Sequence, residues 1–182
     1  RLGAVAWSDA VGLVPVASYT VTKLAWLRRC EPDAWARLAR VLLPHDWLNL
    51  RCTGVAATDR GDASGTGYWS PAAGEWRPDL LALVDDGRDW AACLPELRGP
   101  AEPAGRLTGE ALERFGPALV GPGTGDNMAA ALGLGLAPGD VAVSVGTSGT
   151  VFTVSDTPTA DPEGLVAGFA DATGRYLPLV CT

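Results

Sequence analysis

The feature that most constrains the fold is a series of apolar and Gly-rich segments between residues 118 and 154. A short apolar run, 118–121, is followed by a Gly-rich turn and then by Asp126–Leu136, which is built of Ala, Leu and Gly with almost no charge. Two further apolar runs, 141–145 and 151–154, flank a turn of small residues. The pattern predicts a buried strand, a buried helix and a β-hairpin.

Upstream of this series the chain alternates between helical and extended patterns. Helices are predicted at Thr20–Cys30, with Thr20 as N-cap, and at Pro32–Arg40, followed by a strand at Val41–Leu43 and a helix at Asp46–Cys52. Other predicted helices lie at 78–86, 89–97 and from Thr108 to Phe115, and other strands at Gly67–Trp69, 165–170 and 175–180. This alternation predicts an α/β fold, and the hairpin near 140 reads as the opening of a second domain.

Composition limits the partners of the protein. The formal net charge is −7 over 182 residues, and Lys23 is the only lysine, so nucleic acids and anionic membranes are disfavoured as partners. No apolar stretch approaches the length that a membrane span needs. The four cysteines are scattered and the first residues lack the apolar run of a signal peptide, so we expect reduced thiols and a cytoplasmic location.

Several familiar sites are excluded by counting. A P-loop needs Gly-Lys before Ser or Thr, and a hydrolase elbow needs Gly where Thr150 stands. One histidine, His45, makes a Cys/His zinc site improbable, and the sequence predicts no metal ligands. A lone histidine is more often a structural cap or a surface residue than a member of a catalytic triad.

The loop at 123–127 is the first of two candidates for chemistry. Glycines allow a sharp turn and close approach by a ligand, and Asp126 then opens the uncharged helix. Its carboxylate could accept a proton from a substrate hydroxyl that the Asn127 amide positions. The alternative is that Asp126 simply caps the helix.

The turn at 146–150 is the second candidate. Two glycines and three hydroxyl side chains at a hairpin tip can present backbone N–H groups and Oγ atoms to a phosphate without a lysine. The alternative is an ordinary hairpin turn. The two loops together, separated by one helix, are more informative than either alone.

The ordered set of motifs resembles the central segment of the FGGY carbohydrate kinases, and within them the branch that acts on D-xylulose. Each motif is weak by itself, but the ordered set is specific and covers nearly the whole chain, from about Val14. The segments that carry the resemblance are 20–27, 31–32, 41–48, 57–66, 123–133 and 139–149.

The resemblance implies an actin-like (ribonuclease-H-like) α/β fold of two domains, with sugar at the bottom of the cleft and ATP with Mg²⁺ across it. It implies that Asp126 is the general base and that Asn127 binds the sugar. A looser match implies that Ser18 helps to form the wall of the sugar pocket. The second phosphate-binding loop then contains the four residues Gly146, Thr147, Ser148 and Gly149. The resemblance leaves open whether the protein forms a homodimer.

The sequence also departs from the family. Complete members are more than twice as long, and they carry an Asp-x-Gly-Thr phosphate loop and a late adenosine motif that this sequence lacks. The chain has no initiator Met and finishes in an apolar run, so we expect a fragment that is inactive alone. Residues 1–138 would be the end of the sugar-binding domain and 139–182 the start of the ATP-binding domain. The alternatives are a gluconate, ribulose or glycerol kinase of the same family, or a non-catalytic sugar-binding fragment; a hydrolase is disfavoured.

Overall fold

The computed structural model describes residues 2–181, so predictions that fall on Arg1 and Thr182 lie outside the described residues. Nine helices are seen in this range. They are α1 (Ala4–Val11), α2 (Thr20–Cys30), α3 (Pro32–Ala36), α4 (Pro44–Thr53), α5 (Arg60–Ser64), α6 (Pro78–Ala82), α7 (Trp90–Cys93), α8 (Gly109–Phe115) and α9 (Asp126–Leu134). None of them is long and apolar enough to cross a bilayer.

The described strands form one four-stranded sheet and three short pairs. They are β1 (Ala57–Thr58), β2 (Trp69–Ser70), β3 (Glu75–Trp76), β4 (Glu96–Leu97), β5 (Gly105–Arg106), β6 (Leu119–Val120), β7 (Val141–Val145), β8 (Gly149–Thr153), β9 (Ala167–Ala170) and β10 (Tyr176–Cys181). The large sheet is antiparallel, in the order β7-β8-β10-β9, and β1 pairs with β4 in parallel. The predicted hairpin and the two later strands are therefore confirmed.

The two larger apolar clusters hold most of these elements together. The larger one joins α1, α2, α3, α6 and α7 around side chains such as Leu13, Leu24 and Trp90. The second packs α9 on the four-stranded sheet, where Met128 and Ala131 meet Phe152 and Leu177. This second cluster fixes the start of α9 relative to the turn between β7 and β8.

Three of the upstream predictions need correction. Helix α2 has the predicted bounds, but its N-cap residue is Tyr19 rather than Thr20. Helix α3 stops at Ala36 instead of Arg40, since the Arg88 guanidinium donates to the carbonyls of Trp35 and Leu38 and holds the chain out of helical geometry. Val41–Leu43 is extended but not part of a described strand. Its ends bond to the Cys93 carbonyl and to the Asp46 carboxylate.

Burial of β6 and α9 is also lower than predicted. Strand β6 is not buried, because it belongs to a two-stranded ribbon with β5 and leaves Leu119 60% exposed. In α9 the sheet covers one face only, so Leu132 and Leu134 are exposed. An uncharged composition predicts burial of the whole helix, whereas within this chain only the face carrying Met128 is covered.

Candidate active site

The start of α9 carries the two residues predicted to handle the sugar. Gly125 is the N-cap residue and Asp126 is the first helical residue, so Asp126 is not the N-cap that the alternative requires. Oδ1 of Asp126 accepts hydrogen bonds from the Asn127 backbone N–H at 2.8 Å and from Asn127 Nδ2 at 3.0 Å. The side chain is exposed, so its carboxylate is accessible to a ligand.

A single hydrogen bond links this helix start to the second candidate loop. Thr150 Oγ1, near the start of β8, donates to Asn127 Oδ1 over 3.2 Å. Because Asn127 also bonds Asp126, a chain of contacts runs from the Asp126 carboxylate to the end of the hairpin turn. The structure thus brings together the two loops that the sequence singles out.

The turn between β7 and β8 is short and polar. Gly146 N–H donates to the Ser148 carbonyl over 3.0 Å, which closes the turn, and Gly149 begins β8. Thr147 and Ser148 are exposed at its tip. A phosphate can therefore reach their hydroxyls and the backbone of the turn.

Ser18 lines a cavity of about 340 Å³ that Asp126 does not line. Tyr19, Phe169 and Cys181 also line this cavity. Cys181 is the register partner of Thr150 in the β10–β8 pair, so the cavity and the Asn127–Thr150 bond lie at the same end of the sheet. The structure therefore places Ser18 in the wall of a cavity at this end of the sheet, and its role in walling a sugar pocket stays a prediction.

His45 lies among three carboxylates. Its Nδ1 is 2.7 Å from Asp62 Oδ2, while its Nε2 is 3.3 Å from both Asp46 Oδ1 and Asp59 Oδ1. Close contact with the carboxylates of Asp59 and Asp62 raises the pKa of His45 to about 10, against the opposing effect of burial. The imidazole is thus a cation at neutral pH.

Asp46 is the most buried member of this group. Its side chain is only 1% exposed, and burial raises its pKa, although the hydrogen bond from the Leu43 amide to Oδ2 acts the other way. Ligand atoms of His45, Asp59 and Asp62 lie within 4.8 Å of one another. The two ring nitrogens face different carboxylates, however, and the imidazolium itself supplies the positive charge, so we assign no metal site here.

Sequence reasoning missed two parts of this region. His45 was expected to be a cap or surface residue, yet it is the centre of an ionic cluster. The sequence feature that could have revealed this cluster is that His45 lies in the same ordered set of motifs as Asp59 and Asp62. In the sequence Thr150 is one of three hydroxyl residues in the turn, and nothing there shows that it bonds Asn127.

Comparison with known proteins bears on this geometry. The sequence profile described as "FGGY family of carbohydrate kinases, N-terminal domain" matches residues 6–133. The xylulose kinase of Streptomyces coelicolor is 51% identical over 181 residues, which are 99% of this chain and 37% of that protein. The crystal structure of xylulose kinase from Bifidobacterium adolescentis has a TM-score of 0.85 at 43% identity, covering 97% of this chain and 40% of that one. Plasmodium falciparum glycerol kinase with ADP, at 15% identity and a TM-score of 0.88, shows the same fold.

The fold is therefore part of the actin-like fold of these kinases, which confirms the predicted fold class. The profile match covers most of the chain and the curated relatives match along nearly all of it. The chain belongs to the FGGY family of carbohydrate kinases. It spans about 37% of the length of the first curated relatives that it matches.

Proposed function

We propose that the complete protein carrying this chain transfers the γ-phosphoryl group of ATP to a hydroxyl of D-xylulose, giving D-xylulose 5-phosphate. The observation that carries the proposal is the Thr150–Asn127 hydrogen bond, because it holds the Asp126 carboxylate beside the turn proposed to bind phosphate. Relatives named xylulose kinase, at 51% and 43% identity, support the choice of sugar.

Asp126 is the general base in this proposal. Its Oδ1 is occupied by the two donors of Asn127, so we assign Oδ2 to the proton of the sugar hydroxyl. As that proton leaves, the sugar oxygen forms a bond to the γ-phosphorus. The bond from the γ-phosphorus to the bridging oxygen breaks, and ADP departs. Phosphoryl transfer asks a protein mainly for such positioning and for charge stabilisation.

The turn at 146–149 provides the charge stabilisation in this proposal. The hydroxyls of Thr147 and Ser148 and the backbone between Gly146 and Gly149 face the phosphates, as is typical of lysine-free phosphate loops. Mg²⁺ enters with ATP as part of that substrate and offsets the charge of the phosphate oxygens.

In this proposal the two parts of the chain bind different substrates. We infer that residues 1–138 contribute the sugar side, with Asn127 as a ligand and Ser18 in the pocket wall, and that 139–182 contribute the phosphate side. The family profile ends at residue 133, before the hairpin, which supports a boundary in this part of the chain. A cytoplasmic location suits an enzyme that uses ATP.

A substrate panel tests the proposal. The complete protein is incubated with ATP, Mg²⁺ and single sugars, and release of ADP is measured. We expect D-xylulose to give the highest kcat/KM, above D-ribulose, gluconate and glycerol. A different preferred substrate from this panel would correct the sugar while keeping the reaction, whereas no phosphorylation of any of them would contradict the proposed function.

A further inference from the structure

His45 contacts the loop that leads into Asp126. Its ring lies against Gly123, where an added Cβ would come within 2.6 Å of the His45 Cδ2 atom. Gly123 has φ +89°, a conformation that side chains other than glycine rarely adopt. Nothing larger than glycine fits between the loop backbone and the imidazole, so the position of the ring fixes the position of the loop.

Two other side chains hold the same loop from the same side. An added Cβ at Gly125 would lie 2.9 Å from Asp62 Oδ1, and Asn49 Nδ2 donates to the Pro122 carbonyl over 3.0 Å. His45 and Asn49 both belong to α4, while Asp62 belongs to α5. The loop at 121–125 is therefore set against a surface that two helices build together.

The charges around His45 keep its ring in one place. Asp46 faces it from α4, and Asp59 and Asp62 face it from α5 and its N-cap, while the loop at 121–125 has no titratable side chain. Arg60, Arg98 and Asp171 line a cavity beside Asp59. The side chains of Asp46 and Asp59 are 1% and 7% exposed, so contact with the His45 ring offsets part of the cost of burying these polar groups.

We propose that His45, held between Asp46, Asp59 and Asp62, is a positioning residue that sets the loop at 121–125 and through it the Asp126 carboxylate. This inference rests on the proposed function, in which Asp126 is the base. His45 itself touches neither sugar nor phosphate. It acts because small misplacements of a catalytic group reduce the rate strongly.

Three variants of the complete protein test the inference by kinetics. His45→Gln keeps a polar side chain without the charge, and His45→Lys keeps the charge. Arg51→Gln removes an exposed cation from the same helix and serves as the matched control. We expect His45→Gln to lower kcat about tenfold or more with both KM values within about twofold, His45→Lys to recover part of that loss, and Arg51→Gln to match wild type.

A double-mutant cycle with Asp126→Asn separates positioning from general stability. If His45 acts through Asp126, His45→Gln lowers kcat much less in the Asp126→Asn background than in the wild-type background. An equal loss in both backgrounds, or wild-type kcat in His45→Gln, would overturn the inference. Retained turnover in Asp126→Asn alone would overturn the proposed base, and with it the role of His45.

Hydrogen exchange does not depend on turnover, so it distinguishes failure of this inference from failure of the proposed function. Hydrogen exchange of the amides of Gly121 and of residues 123–127 should accelerate about tenfold in His45→Gln and stay unchanged in Arg51→Gln. Should His45→Gln not fold, Gly125→Ala displaces the loop instead, because its Cβ would lie 2.9 Å from both Asp62 Oδ1 and Met128 Sδ, with the same expected loss of kcat and the same non-additivity with Asp126→Asn. Unchanged exchange in a folded His45→Gln protein would contradict the inference whatever the substrate is.

Discussion

At the scale of single residues, His45 shows how an environment that the sequence does not reveal changes what a side chain does. A histidine with an ordinary pKa near 6.5 is mostly neutral at pH 7. Contact with Asp59 and Asp62 raises this pKa to about 10, so the side chain acts as a cation comparable to lysine. Position 45 carries charge because three carboxylates, two of them far away in sequence, converge on it.

This shift predicts how stability depends on pH. The folded-state pKa lies above the unfolded value, so the stabilisation by His45 is complete below about pH 6.5 and disappears as the pH rises through about 10. We expect the thermal midpoint of wild type to exceed that of His45→Gln most at pH 6, and the gap to narrow steadily towards pH 10. A gap that widens with pH would show that the imidazole is neutral in the folded protein.

At the scale of elements, the sequence predicts what local pattern determines and fails where distant contacts decide. Apolar alternation around small residues suffices to predict the β7–β8 hairpin. Helix α3 could not be bounded in this way, since Arg88, about fifty residues away, ends it. The two candidate loops are visible in sequence, whereas the Thr150–Asn127 bond that joins them depends on how α9 packs on the sheet.

The hairpin turn has its own prediction, made on the complete protein. Thr147→Val removes a hydroxyl at the exposed tip but keeps the shape of the side chain. Loss of one hydrogen bond to a charged phosphate costs about 1.5–3 kcal/mol. We expect kcat to fall about 10- to 150-fold with little change in sugar affinity. A collapse of sugar affinity with unchanged turnover would assign this turn to the sugar instead.

At the scale of the whole molecule, the length of the chain relative to its relatives decides what it can do alone. It spans about 37% of the length of its first curated relatives, and its sequence contains neither an Asp-x-Gly-Thr loop nor an adenosine motif. Within the described residues, α9 and β7 leave apolar side chains exposed, among them Leu134 and Val143.

We therefore predict that the 182-residue chain, purified alone, forms no sugar phosphate from ATP and D-xylulose. Catalysis in the proposed mechanism needs two phosphate loops and an adenosine site, and this chain offers one of the three. The complete protein under the same conditions is the control. ATP-dependent formation of sugar phosphate by the chain alone would contradict the prediction.

The most direct test of the central claim is the turnover of Asp126→Asn in the complete protein. The substitution keeps the shape of the side chain and its capacity to accept from the Asn127 amide, but it removes the proton acceptor. We predict a thermal midpoint close to wild type and a kcat for D-xylulose phosphorylation lower by about 10²–10⁴, the range for loss of a general base. Near-normal kcat in this variant would contradict the account and leave Asp126 as a residue of the helix start alone.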